Sequence, residues 1–157
     1  RVIKLLRGSD MNNYQHILIA VDFSEHGDYI AQKARYLAGK YQAKLSIIHI
    51  IDNLPITDAA YGPVIPFDMD LNEELMDAAK KRLAELGKQL SIPEDRQFLE
   101  MGSTKLEIVA TAEEQHVDLI VLGSHGRHGL ALLLGSTANG VLHHAKCDVL
   151  AVRLKDN

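Results

Sequence analysis

Val117-Asp118-Leu119-Ile120-Val121-Leu122 is followed at once by Gly123-Ser124-His125-Gly126-Arg127-His128-Gly129, then by Leu130 to Leu134, and then by Gly135-Ser136-Thr137. The first run is short, bounded by glycine and apolar except for Asp118, so it predicts a strand buried on both faces. Strands of that kind belong to parallel sheets whose crossover helices cover both sides. Three glycines directly after such a strand permit positive φ and let backbone N–H groups come close to an anion. Gly135-Ser136-Thr137 then predicts the start of a helix through about Ala145, whose free N–H groups and dipole favour a phosphate. A flexible crossover with a serine cap is the plainer alternative for a glycine cluster standing alone.

The same alternation of strand and helix extends outward over the chain. His16 to Asp22 (HILIAVD), Lys44 to Ile51 (KLSIIHII), a weaker Gln97 to Met101, and Asp148 to Val152 (DVLAV) read as further strands. Ser24 predicts the N-cap of a helix through about Tyr41, with Ala31, Ala34, Leu37 and Ala38 on one face. A second helix starts at Asp70 or Asn72 and runs to about Leu90, with Leu71, Leu75, Ala78, Ala79, Leu83 and Leu86 as its apolar stripe. Ser103 predicts the cap of a third through about Gln115, with Ile108, Val109 and Ala112 inward. Asn53 to Met69, holding Pro55, Gly62, Pro63 and Pro66, is the long loop, of the length used for lids or binding segments.

The resulting β-α-β-α-β-α-β-α-β order predicts an α/β fold, a five-stranded parallel sheet with helices on both faces. Right-handed crossovers suit an order such as 3-2-1-4-5, in which the first and fourth strands lie side by side where the winding reverses. Ligands of open α/β sheets bind beyond the carboxyl ends of the strands at that point, marked here by Asp22 and Gly123.

Length and composition set the bounds. A chain of 157 residues, 46% hydrophobic, 24% charged and 5% aromatic, suits one soluble domain with an aliphatic core. Residues 1–10 end in Arg7-Gly8-Ser9-Asp10 before Met11 and read as the remnant of a cleavable tag, with a natural basic arm as the competing reading, leaving 11–157 as a single domain. That segment carries Arg1, Lys4, Arg7 and Asp10, a net +2, so without it the formal charge moves from −4 to −6. An acidic domain lacking a basic block argues against nucleic acid as a partner. The single Cys147 cannot form an internal disulfide, and after Met11 no stretch is long and apolar enough to cross a bilayer, so no membrane partner and a cytoplasmic location are expected. Cys147 itself reads as an inert core thiol.

HILIAVDFSE at the first strand, IIHIID at the second, VDLIVLGSHGRHG at the fourth and LLLGSTANGVLHHAKCDVLAV at the end, in this order and spacing, resemble the universal stress protein family from Tyr14 to Arg153. The resemblance implies a Rossmann-like, HUP-type sheet in the order 3-2-1-4-5, a homodimer, and in one subclass ATP at the switch point. That subclass carries G-x2-G-x9-G followed by Ser or Thr. Here the spacing is Gly123-x2-Gly126-x8-Gly135-Ser136, one residue short, a change able to move a loop by up to about 3.5 Å. Carried over by position, Ala20, Val21 and Ile50 line the adenine pocket and Asp22 contacts the ribose. Leu122, Gly123, His125 and Gly126 line the ribose and phosphate path, and Gly135, Ser136 and Thr137 hold the phosphates. The implied cofactor is ATP or another adenine nucleotide, with Mg2+ as its companion ion.

Competing chemistries find less support. His125, His128, His143 and His144 have no Cys/His framework around them, and His143 and His144 point different ways on one helix, so they read as solvated or helix-end histidines and no metal is expected. Asp22 lies after the first strand, not the third, against a phosphate-receiver role. No paired carboxylates, triad candidates or lysine of a Walker A loop accompany the glycines, so no catalytic residue is assigned. A stress-response module that binds an adenine nucleotide is thus the leading expectation. Its alternatives are a nucleotide-free dimerisation protein of the same fold and a slow ATPase or autophosphorylating protein. The last strand, with Val149, Leu150, Ala151 and Val152, is expected to be a hydrophobic sheet edge that pairs with a second copy.

Overall fold

The isoleucine-rich runs become the centre of a sheet. The computed structural model describes residues 14–52, 69–124 and 134–153, with side chains from 72 onward in the second span. In chain order it has β1 (His16–Ala20), α1 (Gly27–Tyr41), β2 (Lys44–Asp52), α2 (Met69–Leu90), a short 3-10 turn Glu94–Arg96, β3 (Gln97–Gly102), α3 (Thr104–Glu114), β4 (Leu119–Gly123), α4 (Ser136–His144) and β5 (Asp148–Val152). All four pairings are parallel and the strand order is β3-β2-β1-β4-β5, as the crossover rule predicts. The long loop expected before α2 and the expected glycine-rich turn with His125, Gly126 and Gly129 fall outside the described residues.

Strand alternation divides the core into two layers. Ile17, Ile19, Leu45, Ile47, Leu119 and Val121 face α1 and α2, where they meet Ile30, Ala31, Ala34 and Leu83. Leu18, Ile48, Ile120 and Val149 face α3 and α4, where they meet Ile108, Val109, Ala112 and Val141. Most of these strand side chains are wholly buried, and each such Ile or Leu contributes about 2 kcal/mol of burial. Among the described residues no helix is long and apolar enough to cross a membrane.

Three local expectations are corrected. Ser24 does not cap α1, because Phe23 adopts φ 56° and turns the chain so that the Ser24 N–H points back to Asp22; the helix starts only at Gly27, after His26. On α2 the inward stripe is Ala79, Leu83, Leu86 and Leu90, while Leu75 is 52% exposed and Ala78 is exposed. The early turns of that helix therefore run past the sheet, and only its later turns pack on it. Cys147 is half-buried at the edge of the α3/α4 layer and not a core residue.

Candidate functional site

β1 and β4 are adjacent, with Ile17, Leu18 and Ile19 in register with Leu119, Ile120 and Val121. Their carboxyl ends thus emerge side by side, and the chain leaves β1 toward α1 on one face and β4 toward α4 on the other. This is the reversal of winding at which a crevice opens.

From β1 the ladder continues one step, the Val21 N–H donating to the Ile48 carbonyl at 3.0 Å. Asp22 follows, half-buried, its Oδ1 accepting the Ser24 N–H at 3.0 Å. Its Oδ2 makes no hydrogen bond among the described residues. From β4, Ser124 N–H donates to the Val152 carbonyl at 2.8 Å, and the Ser124 carbonyl accepts the Gly135 N–H at 2.7 Å. That last bond joins residues on either side of 125–133 and brings the start of α4 back to the end of β4.

Gly135 is the N-cap of α4, in extended conformation at φ −60° and ψ 154°, and offers no side chain to the helix. Asn139 donates to the Gly135 carbonyl, so the first intrahelical bond forms there. The N–H groups of Ser136, Thr137 and Ala138 precede it and have no acceptor among the described residues, as the first turn of any helix requires. Ser136 is exposed and Thr137 half-buried, so hydroxyls accompany these N–H groups. Such an end favours an anion through both its donors and its dipole.

The expected pocket residues are partly brought together. Ala20, Ile50 and Leu122 belong to the α3/α4 layer, and Gly123 ends β4 beside them. Asp22, Gly135, Ser136 and Thr137 surround the same end of the sheet. Val21 is different: its side chain enters the α1/α2 layer, and its carbonyl accepts a hydrogen bond from His49 Nδ1 at 2.8 Å. His125 and Gly126 lie outside the described residues.

Three residues given no site role in the sequence shape this end, Arg82 among them, which reads there as part of a solvated face with Lys80, Lys81 and Lys88. His49, Phe23 and Arg82 converge on the β1–α1 turn, the Phe23 and His49 rings with centroids 4.1 Å apart and the Arg82 guanidinium 4.6 Å from the Phe23 ring centre. A histidine within the apolar run KLSIIHIID was the one visible signal; Arg82 carried none.

At the opposite end of the sheet, a cleft of about 310 Å³ is lined by Val109, Ala112, Val117, Ile120 and Cys147, with the Lys146–Glu113 ion pair at its mouth. Burial, followed by the nearby Asp148 charge, pushes the Cys147 thiol up to about 11, so it is a neutral thiol at ordinary pH. This cleft has no uncapped helix start and no array of N–H donors. It is a poor match to a phosphate, and the switch-point end is the candidate site.

Comparison with known proteins agrees with this architecture. Residues 13–153 match the model of the universal stress protein family. The chain is 45% identical over 146 residues to universal stress protein A homolog 2 of Coxiella burnetii, an alignment covering 92% of this chain and 99% of that protein. Among solved structures, hypothetical protein MJ0577 superposes with a TM-score of 0.74 at 30% identity, covering 92% of this chain and 99% of that one. A universal stress protein solved in complex with cAMP superposes with a TM-score of 0.58 at 24% identity, covering 92% and 100%, a likeness of fold alone. Sheet order, the matched span and near-complete coverage of a relative at this identity coincide, and the chain belongs to the universal stress protein family.

Proposed function

We propose that this protein is a cytoplasmic stress-response module that binds ATP or a related adenine nucleotide at the carboxyl ends of β1 and β4. The observation that carries the reading is the Gly135–Ser124 backbone bond, which sets three unaccepted N–H groups of α4 beside the strand end bearing Asp22. Phosphate oxygens suit those donors, a ribose suits the remaining Asp22 oxygen, and Ala20, Ile50 and Leu122 supply an apolar wall for a base. Isothermal titration with ATP, ADP and AMP tests it. Saturable heat is the expected result, with ATP the tightest of the three if the helix start holds the terminal phosphates. Absence of both heat and thermal shift at millimolar ATP would favour the nucleotide-free reading.

A homodimer through β5 is the second part of the proposal. β5 is an edge strand whose Val149, Ala151 and Val152 side chains are already buried within one chain, whereas β3 at the other edge exposes Glu100 and Met101. Among the described residues no strand pairs with the outer backbone ladder of β5, which pairing about a two-fold axis would satisfy. An arginine at Ala151 would disturb the chain's own core, so the cleaner test is sedimentation of the unmutated protein at tens of micromolar. A dimer is expected, and a monomer refutes this part.

A further inference from the structure

Phe23, the residue after Asp22, has φ 56°, the left-handed region that a bulky side chain occupies only when its surroundings enforce it. Those surroundings come from two distant elements. On β2, His49 donates through Nδ1 to the Val21 carbonyl at 2.8 Å and lies against the Phe23 ring at an interplanar angle of 37°. On α2, Arg82 donates through Nη2 to the Phe23 carbonyl at 3.1 Å while its guanidinium covers the same ring. The carbonyls immediately before and after Asp22 are therefore both held, by residues 28 and 59 positions away in sequence. Asp22 sits between these anchors with Oδ1 committed to Ser24 and Oδ2 without a hydrogen bond among the described residues.

We infer that His49 and Arg82, acting through Phe23, are positioning residues that fix the Asp22 carboxylate for ribose hydroxyls and so set a preference for ribonucleotides. The inference rests on the adenine-nucleotide reading of this site. A carboxylate accepts a hydroxyl well only within a narrow range of position, and a displacement of about 1 Å is enough to lose the contact. Releasing Phe23 lets its backbone relax toward negative φ, which swings the neighbouring Asp22. Phosphate donors on α4 belong to another segment and are untouched by that motion.

Arg82 is the residue to change, because it is exposed and its loss opens no core cavity. Calorimetry of the unmutated protein and of Arg82→Ala is done with ATP and with 2′,3′-dideoxy-ATP, which lacks both ribose hydroxyls. The unmutated protein should prefer ATP. Arg82→Ala should weaken ATP by roughly tenfold and leave the dideoxy nucleotide unchanged, so that the preference collapses. Arg82→Lys, which keeps the charge but loses the planar fork, should fall nearer to alanine than to arginine. Equal weakening of both nucleotides, or a fall in melting temperature with the ATP preference intact, shows a merely structural role and overturns the inference. If the unmutated protein binds neither nucleotide, the nucleotide reading and the ribose preference fall together. The clamp is then judged by hydrogen exchange at the Ser24 amide, which Asp22 Oδ1 holds: exchange about tenfold faster in Arg82→Ala supports it, and unchanged exchange refutes it.

Discussion

The amino and carboxyl ends of the central strands use their polar groups in opposite ways. At the amino end, His16 is 5% exposed and lies between the Ser46 hydroxyl at 2.6 Å and the Gln115 carbonyl at 3.0 Å. Since a carbonyl only accepts, Nδ1 carries the proton and Nε2 of the neutral ring accepts from Ser46. Beside it, Asp118 accepts the N–H groups of Gln15 and His16 and returns its own N–H to the His16 carbonyl. Tyr14 closes the edge by donating to Asp148, and burial, followed by that bond, pushes the phenol well above its usual range. At the carboxyl end, the Asp22 Oδ2 and three N–H groups of α4 find no protein partner among the described residues. One end spends its polar groups on joining β1, β2, α3 and β4; the other leaves them open among the described residues. Under the proposed reading, stability and nucleotide binding are separable by mutation.

The largest effect expected is at the amino end. His16→Ala removes a packed ring and leaves the wholly buried Ser46 hydroxyl without its partner, which should cost about 2–4 kcal/mol of unfolding free energy. Urea unfolding measures this, and nucleotide affinity of the folded variant should stay within about twofold if the two ends are independent.

Acidification probes the same residue more gently. Burial lowers the His16 pKa below its ordinary 6.5, partly offset by the Gln115 carbonyl, so the unfolded chain takes up the proton first. Its contribution is fully present above pH 6.5 and is lost as pH falls through the depressed folded value. Unfolding curves at pH 7.5 and 5.5 should show the acidic sample less stable, with a smaller difference in His16→Gln, which does not titrate.

At the carboxyl end the order of effects reverses. Asp22→Ala should weaken adenine-nucleotide binding by about tenfold, or ~1.4 kcal/mol, while the loss of its bond to Ser24 costs only about 0.5–1 kcal/mol of stability. Paired calorimetry and urea unfolding on one preparation check both numbers. Ser136→Pro is a subtler change: proline is tolerated at the first position of a helix, and Gly135 already has the extended ψ that must precede it. The helix should remain, one donor and one hydroxyl should disappear, and ATP affinity should drop about threefold with the melting temperature unchanged.

The smallest effect expected is Lys146→Ala. The Lys146–Glu113 pair is 3.0 Å long, but its side chains are 70% and 40% exposed, so unfolding free energy should change by less than about 0.5 kcal/mol. A larger loss would mean that the amino end depends on surface charge and not on the His16–Ser46 and Asp118 bonds.

Strands were the most legible feature of the chain, because Ile- and Val-rich runs of five to nine residues have few alternatives once glycine, serine or aspartate bounds them. The sheet order was legible too, since right-handed crossovers leave few routes for this element sequence. The start of α1 was read less well than those of α3 and α4, which begin after Ser103 and at Gly135-Ser136 as expected. Ser24 has the composition of an N-cap, but Phe23 turns the chain away before the cap can form. On α2, Leu75 matched the periodicity yet meets solvent, because periodicity gives a face and not where along the helix the sheet ends.

The candidate site divides along the same line. By themselves, the residues determined the strand ends at Asp22 and Gly123, the glycine at the head of α4 and the family to which the chain belongs, since each depends on local composition and spacing. Tertiary structure alone decided that Gly135 returns to Ser124, that Val21 turns its side chain into the other layer, and that His49 and Arg82 grip the turn on either side of Asp22. These are contacts between residues far apart in sequence. Hydrogen bonds and ring contacts of this kind leave no periodic trace, because they depend on where the sheet's twist and the helix packing bring distant side chains together, not on the neighbours each residue has along the chain.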